Sequence, residues 1–232
     1  PQWALTLGGE YSQFDQAGRL SWRQQSVQLD RLRDGLSPYA RWVRYDQYGL
    51  LDMETDVGFN WAPSAHLTLN AGASMVHQPM FKPERRLYLN VEQLLLGEVA
   101  RPLATWGTLQ WRDEAYADGA RVVTINPGLA FMPYAGIKLS ANMITVDKSD
   151  AARLYGRSWR VDVTPSDAWS WHVGYADAPE NELSRVVRTK TWFAGLTLDI
   201  LPQYTVRLGY ARDDRVDSYI RQVINASVTR RF

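Results

Sequence analysis

Three histidines are the side chains of this 232-residue chain that titrate near neutrality, and cysteine is absent. His66 follows the Ala62-Pro63-Ser64 turn, and His172 sits among polar positions between Trp171 and Val173. His77 opens an irregular stretch that holds Pro79, Pro83 and Glu84. Acid–base catalysis needs such a group held within hydrogen-bond reach of a partner, and a lone loop histidine is ordinarily just solvated. No Gly-x-Ser-x-Gly, His-Glu-x-x-His, Walker loop or calcium-loop spacing occurs. We therefore expect no enzyme, no catalytic residue and no metal or other cofactor. Asp52, Glu54 and Asp56 fall two apart and share one strand face. They could attract a cation, but a solvated or arginine-compensated wall is the simpler reading. The 10 Trp and 12 Tyr could stack sugars, yet most fall on apolar positions, where a membrane-interface girdle suits them better.

The elements that position these residues show a period of two almost everywhere. Met53, Thr55, Val57, Phe59 and Trp61 alternate with Asp52, Glu54, Asp56 and Asn60. The same alternation puts Glu10, Glu92, Arg112, Lys138, Arg160, Asp162, His172, Asp199 and Arg207 on polar faces opposite Leu, Val and Trp. Successive strand side chains point to opposite faces, so each segment has one apolar and one polar side. No 3.6-residue period competes over a useful length. The segment from Tyr39 to Tyr45 has unclear parity, because Arg41 and Arg44 fall on opposite faces. The closing stretch places Ile220, Ile224, Ala226, Val228 and Phe232 on one face, interrupted by Gln222 and Arg230.

About fourteen strands can be counted, an even number, joined in hairpins of roughly thirty residues. Proline marks alternate junctions, at Pro38, Pro63, Pro102, Pro133, Pro165 and Pro202. The intervening junctions are more polar: His77 to Arg85, Asp113 to Gly119, Asp147 to Ala152, Asp177 to Arg185 and Arg212 to Asp217. Tight proline turns at one end and longer polar loops at the other match a closed antiparallel transmembrane β-barrel. In it the strand from Trp3 pairs with the strand ending at Phe232, and the charges of the polar face line the lumen and compensate one another. With the C-terminus at the periplasmic end, the proline turns lie there too, and the polar loops are extracellular.

Lys and Arg total 26 against 25 Asp and Glu, a net charge of +1, which gives no basic stripe for nucleic acid. No apolar run approaches the roughly 18 residues of a membrane-spanning helix. Mean hydropathy is −0.35, but a barrel shows lipid only alternate residues. The chain opens on Pro1-Gln2-Trp3 with no leader-like segment, so the expectation is one barrel domain over 1–232, mature or the C-terminal part of a longer protein.

The closing strand on a terminal Phe resembles that of bacterial outer-membrane barrels, apart from Arg230 two before the end. More particularly, the chain resembles the YaiO-type outer-membrane barrels over nearly its whole length. The likeness rests on Trp3-Ala4-Leu5-Thr6-Leu7-Gly8-Gly9-Glu10-Tyr11-Ser12, on Arg41 to Tyr45, on Met80-Phe81-Lys82-Pro83 and on the closing strand with Ile224, Val228 and Phe232. More distantly it is similar to the C-terminal barrels of exopolysaccharide exporters. The resemblance implies an outer-membrane location, lipid and lipopolysaccharide around the wall, and assembly machinery that reads the terminal aromatic. Polysaccharide or other envelope proteins are further candidate partners. Three functions stay open: a narrow channel or export pore for a polar solute such as a glycan, a structural barrel with a plugged lumen, and an outer-membrane enzyme.

Overall fold

The computed structural model describes residues 2–16, 20–47, 49–78, 82–149, 151–182, 185–216 and 218–232, the side chains of 181, 182 and 185 excepted. Among them are β1 (Trp3–Phe14), β2 (Trp22–Arg31), β3 (Leu36–Gln47), β4 (Leu50–Ser64), β5 (Leu67–Val76), β6 (Arg85–Leu96) and β7 (Thr105–Ala115). They are followed by β8 (Arg121–Tyr134), β9 (Ile137–Lys148), β10 (Leu154–Ser166), β11 (Trp169–Glu182), β12 (Arg185–Leu201), β13 (Tyr204–Arg215) and β14 (Tyr219–Arg231). Each strand pairs antiparallel with its sequence neighbours, and β1 pairs with β14, closing a fourteen-stranded barrel. Closure leaves no edge strand with unpaired backbone groups. The seam sets Leu7 opposite Val228 and Tyr11 opposite Ile224. At its end the Trp3 amide donates to the Phe232 carbonyl at 3.0 Å, and the Phe232 amide donates to the Trp3 carbonyl at 2.9 Å.

Alternation alone does not say which face is inside. Here the apolar face is outside: Leu7 is 53% exposed, Leu129 59% and Ile224 59%, whereas inward Ser12, Thr189 and Thr205 are each 1% exposed. A soluble sandwich would show the opposite distribution. β3 acquires a definite parity, with Tyr45 buried inside and Trp42 exposed outside. On the outer wall Trp159, Tyr175 and Trp192 stand in direct register, the Trp192 ring 5.9 Å from that of Trp159 and 4.7 Å from that of Tyr175. The aromatic residues are not all lipid-facing: Trp106 and Tyr219 are buried on the inner face.

The turns differ from the sequence expectation in two ways. Pro38, Pro63, Pro133 and Pro165 lie within β3, β4, β8 and β10 rather than in the turns themselves. The register shifts between Trp61 and Ser64, Phe131 and Tyr134, and Val163 and Ser166. A bulge leaves an unpaired residue, so a proline there removes an amide that would have no ladder partner. Pro127 and Pro179 even sit in mid-strand, in β8 and β11. Secondly, the polar junctions are shorter than expected. β11 runs to Glu182 and β12 starts at Arg185, so most of the expected loop from Asp177 to Arg185 is hairpin strand. Likewise β13 continues to Arg215. Met80 and Phe81 lie outside the described residues.

The longest proline-end connection, 97–104, folds back on the barrel. Gly97 takes φ +80°, and a side chain there would meet the Ala104 backbone at 2.9 Å. The Leu103 amide then donates to the Met132 carbonyl at 2.7 Å. This docks Ala104, Trp106 and Ala130 into an internal apolar cluster with Leu94 and Met132.

Candidate functional site

The inner face holds three tiers. At the polar-loop end, Arg86 of β6 donates to Glu114 at 2.9 Å and to Glu54 at 3.4 Å, and Tyr45 donates to the same Glu54 carboxylate. Glu54 and Arg86 belong to strands that are not neighbours, so the bond passes through the interior over β5. On the other wall, Arg221 pairs with Asp213 at 2.5 Å and Arg215 with Glu180 at 3.2 Å. Arg221 lies over the Trp22 ring at 5.7 Å, within an edge-packed group of Phe14, Trp22 and Tyr219. From the β5–β6 connection Lys82 reaches inward, its ammonium 3.1 Å from the Tyr45 ring centre. Burial pushes Lys82 down to about 7, helped by the Arg86 charge and opposed by Glu54.

The middle tier is a row of amides. Asn60, Asn70, Asn90, Gln110 and Asn126, on β4 to β8, are direct register partners one after another. Asn90 donates to Asn70 at 3.0 Å, Asn70 to Asn60 at 2.9 Å, and Asn126 to Gln110 at 3.3 Å. Among the described residues no hydrogen bond joins Asn90 to Gln110. One step toward the loop end, Tyr88 donates to Asp56 at 2.7 Å and its hydroxyl also meets that of Tyr39. Both tyrosine rings lie flat on the wall because Gly58 and Gly72 leave room: a Cβ at Gly72 would meet Tyr88 Cζ at 2.6 Å.

The proline-end tier carries compensated pairs. Lys138 holds Glu92 at 2.8 Å across non-adjacent β6 and β9 and stands 4.5 Å over Trp106. Arg160 clasps Asp162 at 2.5–2.9 Å on its own strand. Asp199 accepts from Thr205 and faces Arg231 at 3.9 Å, while Arg207 donates to Thr229 at 3.1 Å.

The residues singled out from sequence are therefore dispersed along the inner face rather than joined in one cluster. Asp52, Glu54 and Asp56 share a face but hold separate partners: Asp52 accepts the Met53 and Gln78 amides at 2.7 and 2.9 Å. Among the described residues no group of His and carboxylates has metal-binding proximity. Glu10 and Arg112 line the loop-end cavity. His172 lies over Gly195, its ring 6.2 Å from Phe193. Ile224, Val228 and Phe232 are exposed on the outer wall of the closing strand. Sequence reasoning missed Arg86, Glu114, Glu180, Asp213, Arg215 and Arg221, most of them assigned to loops. Their signal was the polar parity running on past the turn cues, as in Thr189 opposite Arg215 and Thr191 opposite Asp213.

Cavities follow one another along this interior. One of about 450 Å³ at the proline end is lined by Ser37, Asn60, Asn70, Asn90, Glu92 and Gln110. Next comes one of about 280 Å³, lined by Arg86, Tyr88, Asn90, Gln110, Arg112 and Asn126. A third, of about 330 Å³, lies at the loop end with Lys82, Arg86, Arg112, Glu114 and Arg221. Asn90 and Gln110 are common to the first two, and Arg86 and Arg112 to the last two.

No family model matches the chain, and no curated protein sequence does either. Solved structures do match. The CymD monoaromatic hydrocarbon channel is 10% identical, with a TM-score of 0.62 over 100% of this chain and 88% of that one. A bacterial polysaccharide outer membrane secretin gives 8% identity and a TM-score of 0.65 over 99% and 98%. The KdgM porin in complex with disordered oligogalacturonate gives 8% and 0.52 over 98% and 99%. At such identities the likeness is one of fold. That fold, with its apolar face outward and its polar face inward, makes this chain a bacterial outer-membrane β-barrel.

Proposed function

We propose that the barrel is a passive, narrow channel for a polar solute rather than an enzyme. The observation that carries this reading is the series of cavities along the inner face, sharing Asn90, Gln110, Arg86 and Arg112 in turn, from the proline-turn end to the loop end. Fourteen strands fall between small filled barrels and wide porins, so a lumen narrowed by its own side chains is expected. Those three neighbours are a channel for a hydrocarbon, a polysaccharide secretin and a porin in complex with an oligogalacturonate; only the last two match the charged and amide groups of this interior. The more distant resemblance to exopolysaccharide exporters agrees with a glycan as the solute.

The outer wall supports one orientation. Around the loop end Arg23, Arg44, Arg85, Arg121, Arg157, Arg188, Lys190 and Arg212 are exposed on outward parity. They outnumber the outward Asp46, Asp113, Asp147, Asp177 and Asp214. At the proline end the outward strand cations are Arg31 and Arg230, each 5.8 Å over an aromatic ring. A cationic collar suits the phosphorylated headgroups of lipopolysaccharide, which supports polar loops outside and proline turns in the periplasm. During insertion the assembly machinery would meet the exposed closing strand at Phe232.

Single-channel recording of the refolded chain in planar bilayers tests the reading. Discrete conductance steps are expected. A silent bilayer with correctly folded protein would favour the second reading, a scaffold whose lumen is plugged. The observation on that side is the charged tier at the loop end, where Lys82 reaches inward among paired arginines and carboxylates.

A further inference from the structure

We infer that the break in the amide row between Asn90 and Gln110 is a binding subsite for a hydroxyl of an uncharged, polyhydroxylated chain, that is, a segment of neutral glycan. The inference rests on the channel reading for its place in a transport path, but its chemistry stands on the site alone. Asn90 and Gln110 are register partners, so their side chains leave the wall side by side. Each already bonds away from the other: Asn90 Nδ2 donates to Asn70, and Gln110 Oε1 accepts from Asn126. What each still offers is complementary, an acceptor at Asn90 Oδ1 and a donor at Gln110 Nε2. A hydroxyl is the simplest group that accepts from one and donates to the other, completing a relay from Asn126 to Asn60. A carboxylate only accepts, so it would leave Asn90 Oδ1 facing a like partial charge.

The wall beside the break fits a sugar ring. Tyr88 is two residues from Asn90 on the same face of β6, and the two line the same 280 Å³ cavity with Gln110. Gly72 lets the Tyr88 ring lie against the wall, so its free face is turned to the lumen. An apolar ring face next to hydroxyl-sized polar groups is the arrangement that receives the C–H face and equatorial hydroxyls of a pyranose. Arg86 and Arg112 also line this cavity, which would favour an acidic chain if they were uncompensated. They are not: Glu114 stands 2.9 Å from Arg86 and 3.4 Å from Arg112, and Glu54 takes a second bond from Arg86.

The test uses the refolded full chain in detergent and in planar bilayers. Maltohexaose and hexagalacturonate serve as neutral and acidic probes. Binding is read by calorimetry and by interruption of ion current. The neutral probe should bind more tightly than the acidic one. Gln110→Leu should weaken it about five- to tenfold, the effect of one hydrogen bond. Asn90→Asp, which keeps the acceptor, should bind it nearly as wild type, and Gln110→Glu, which loses the donor, should not. Heat-modifiable migration in gels checks that each variant is folded. Preference for the acidic probe, or equal binding by Gln110→Leu and wild type, overturns the inference. Ion current with no response to either probe overturns it and leaves the channel standing. Sugar binding without ion current keeps the subsite and removes the channel.

Discussion

Leu109 and Thr108 are neighbours in the middle of β7, and they point to opposite sides of the wall. Leu109 is 40% exposed on the outer face, whereas Thr108 lines the proline-end cavity and donates to Asn142 at 3.1 Å. An arginine placed on the lipid face near mid-membrane costs about 2–4 kcal/mol. Leu109→Arg should therefore lower the folding equilibrium constant about 30- to 1000-fold, at 1.36 kcal/mol per tenfold. Thr108→Arg loses one hydrogen bond, about 1 kcal/mol, and gains a cation close to Glu92, so its cost should stay near 1 kcal/mol or less. Urea titrations of folding into lipid vesicles, with tryptophan fluorescence as the readout, measure both. If Thr108→Arg were the costlier substitution, the register would be wrong by one residue, since such a slip exchanges the faces of the whole strand.

Four further outcomes are expected. Gly72→Ala should push the Tyr88 ring off the wall and reduce channel conductance, whereas Gly49→Ala, at a turn with φ +74° and open space around it, should cost about 1 kcal/mol of stability and leave conductance unchanged. Arg86→Met leaves Glu54 and Glu114, each 4% exposed, without their shared cation; with Arg112 still near Glu114, we expect a loss of about 2–3 kcal/mol in urea unfolding. Lys82 has a folded value depressed from 10.5 to about 7, so its ammonium forms inside only below that pH. Anion preference in reversal-potential measurements should rise as pH falls through 7. The residue's contribution to stability is least favourable below 7 and recovers as pH climbs toward 10.5; Lys82→Met should flatten both curves. The chain has no native cysteine, so single-cysteine labelling fixes orientation: on intact cells an impermeant maleimide should reach Ala117→Cys in the β7–β8 connection and not Ala135→Cys in the β8–β9 turn. The reverse pattern would invert the topology.

The barrel was legible in the sequence because one physical requirement repeats in every strand. Each must show lipid on one face and the interior on the other, so Leu67, Leu69, Ala71 and Ala73 alternate with Thr68, Asn70, Gly72 and Ser74 regardless of their place in the barrel. Strand number followed from turn chemistry, and closure from evenness and the terminal Phe. The strand ends were less legible. Turn signals such as Asp177-Ala178-Pro179 read as loops, yet the hairpin continues through Pro179, because β11 and β12 extend beyond the apolar belt where outward charges are tolerated. There the cue of apolar alternation stops while the backbone ladder does not. That is why Glu180, Asp213 and Arg215 looked like loop residues although they face inward.

The amide row was visible only residue by residue. Asn60, Asn70, Asn90, Gln110 and Asn126 are scattered over 67 positions and become a line only once four registers are known. Register depends on where bulges fall, and the shift beside Pro63 is not written in the alternation itself. The same holds for the glycines of the polar face. In sequence Gly58 and Gly72 look like small residues of a crowded lumen. In the barrel each lies beneath a tyrosine of an adjacent strand, and the missing side chain keeps that ring against the wall instead of across the lumen. A glycine here enlarges the interior by what it lets its neighbour do, so lumen width is a property of cross-strand pairs. Composition cannot report it, and a single substitution at Gly72 should change the channel more than most changes among the charges.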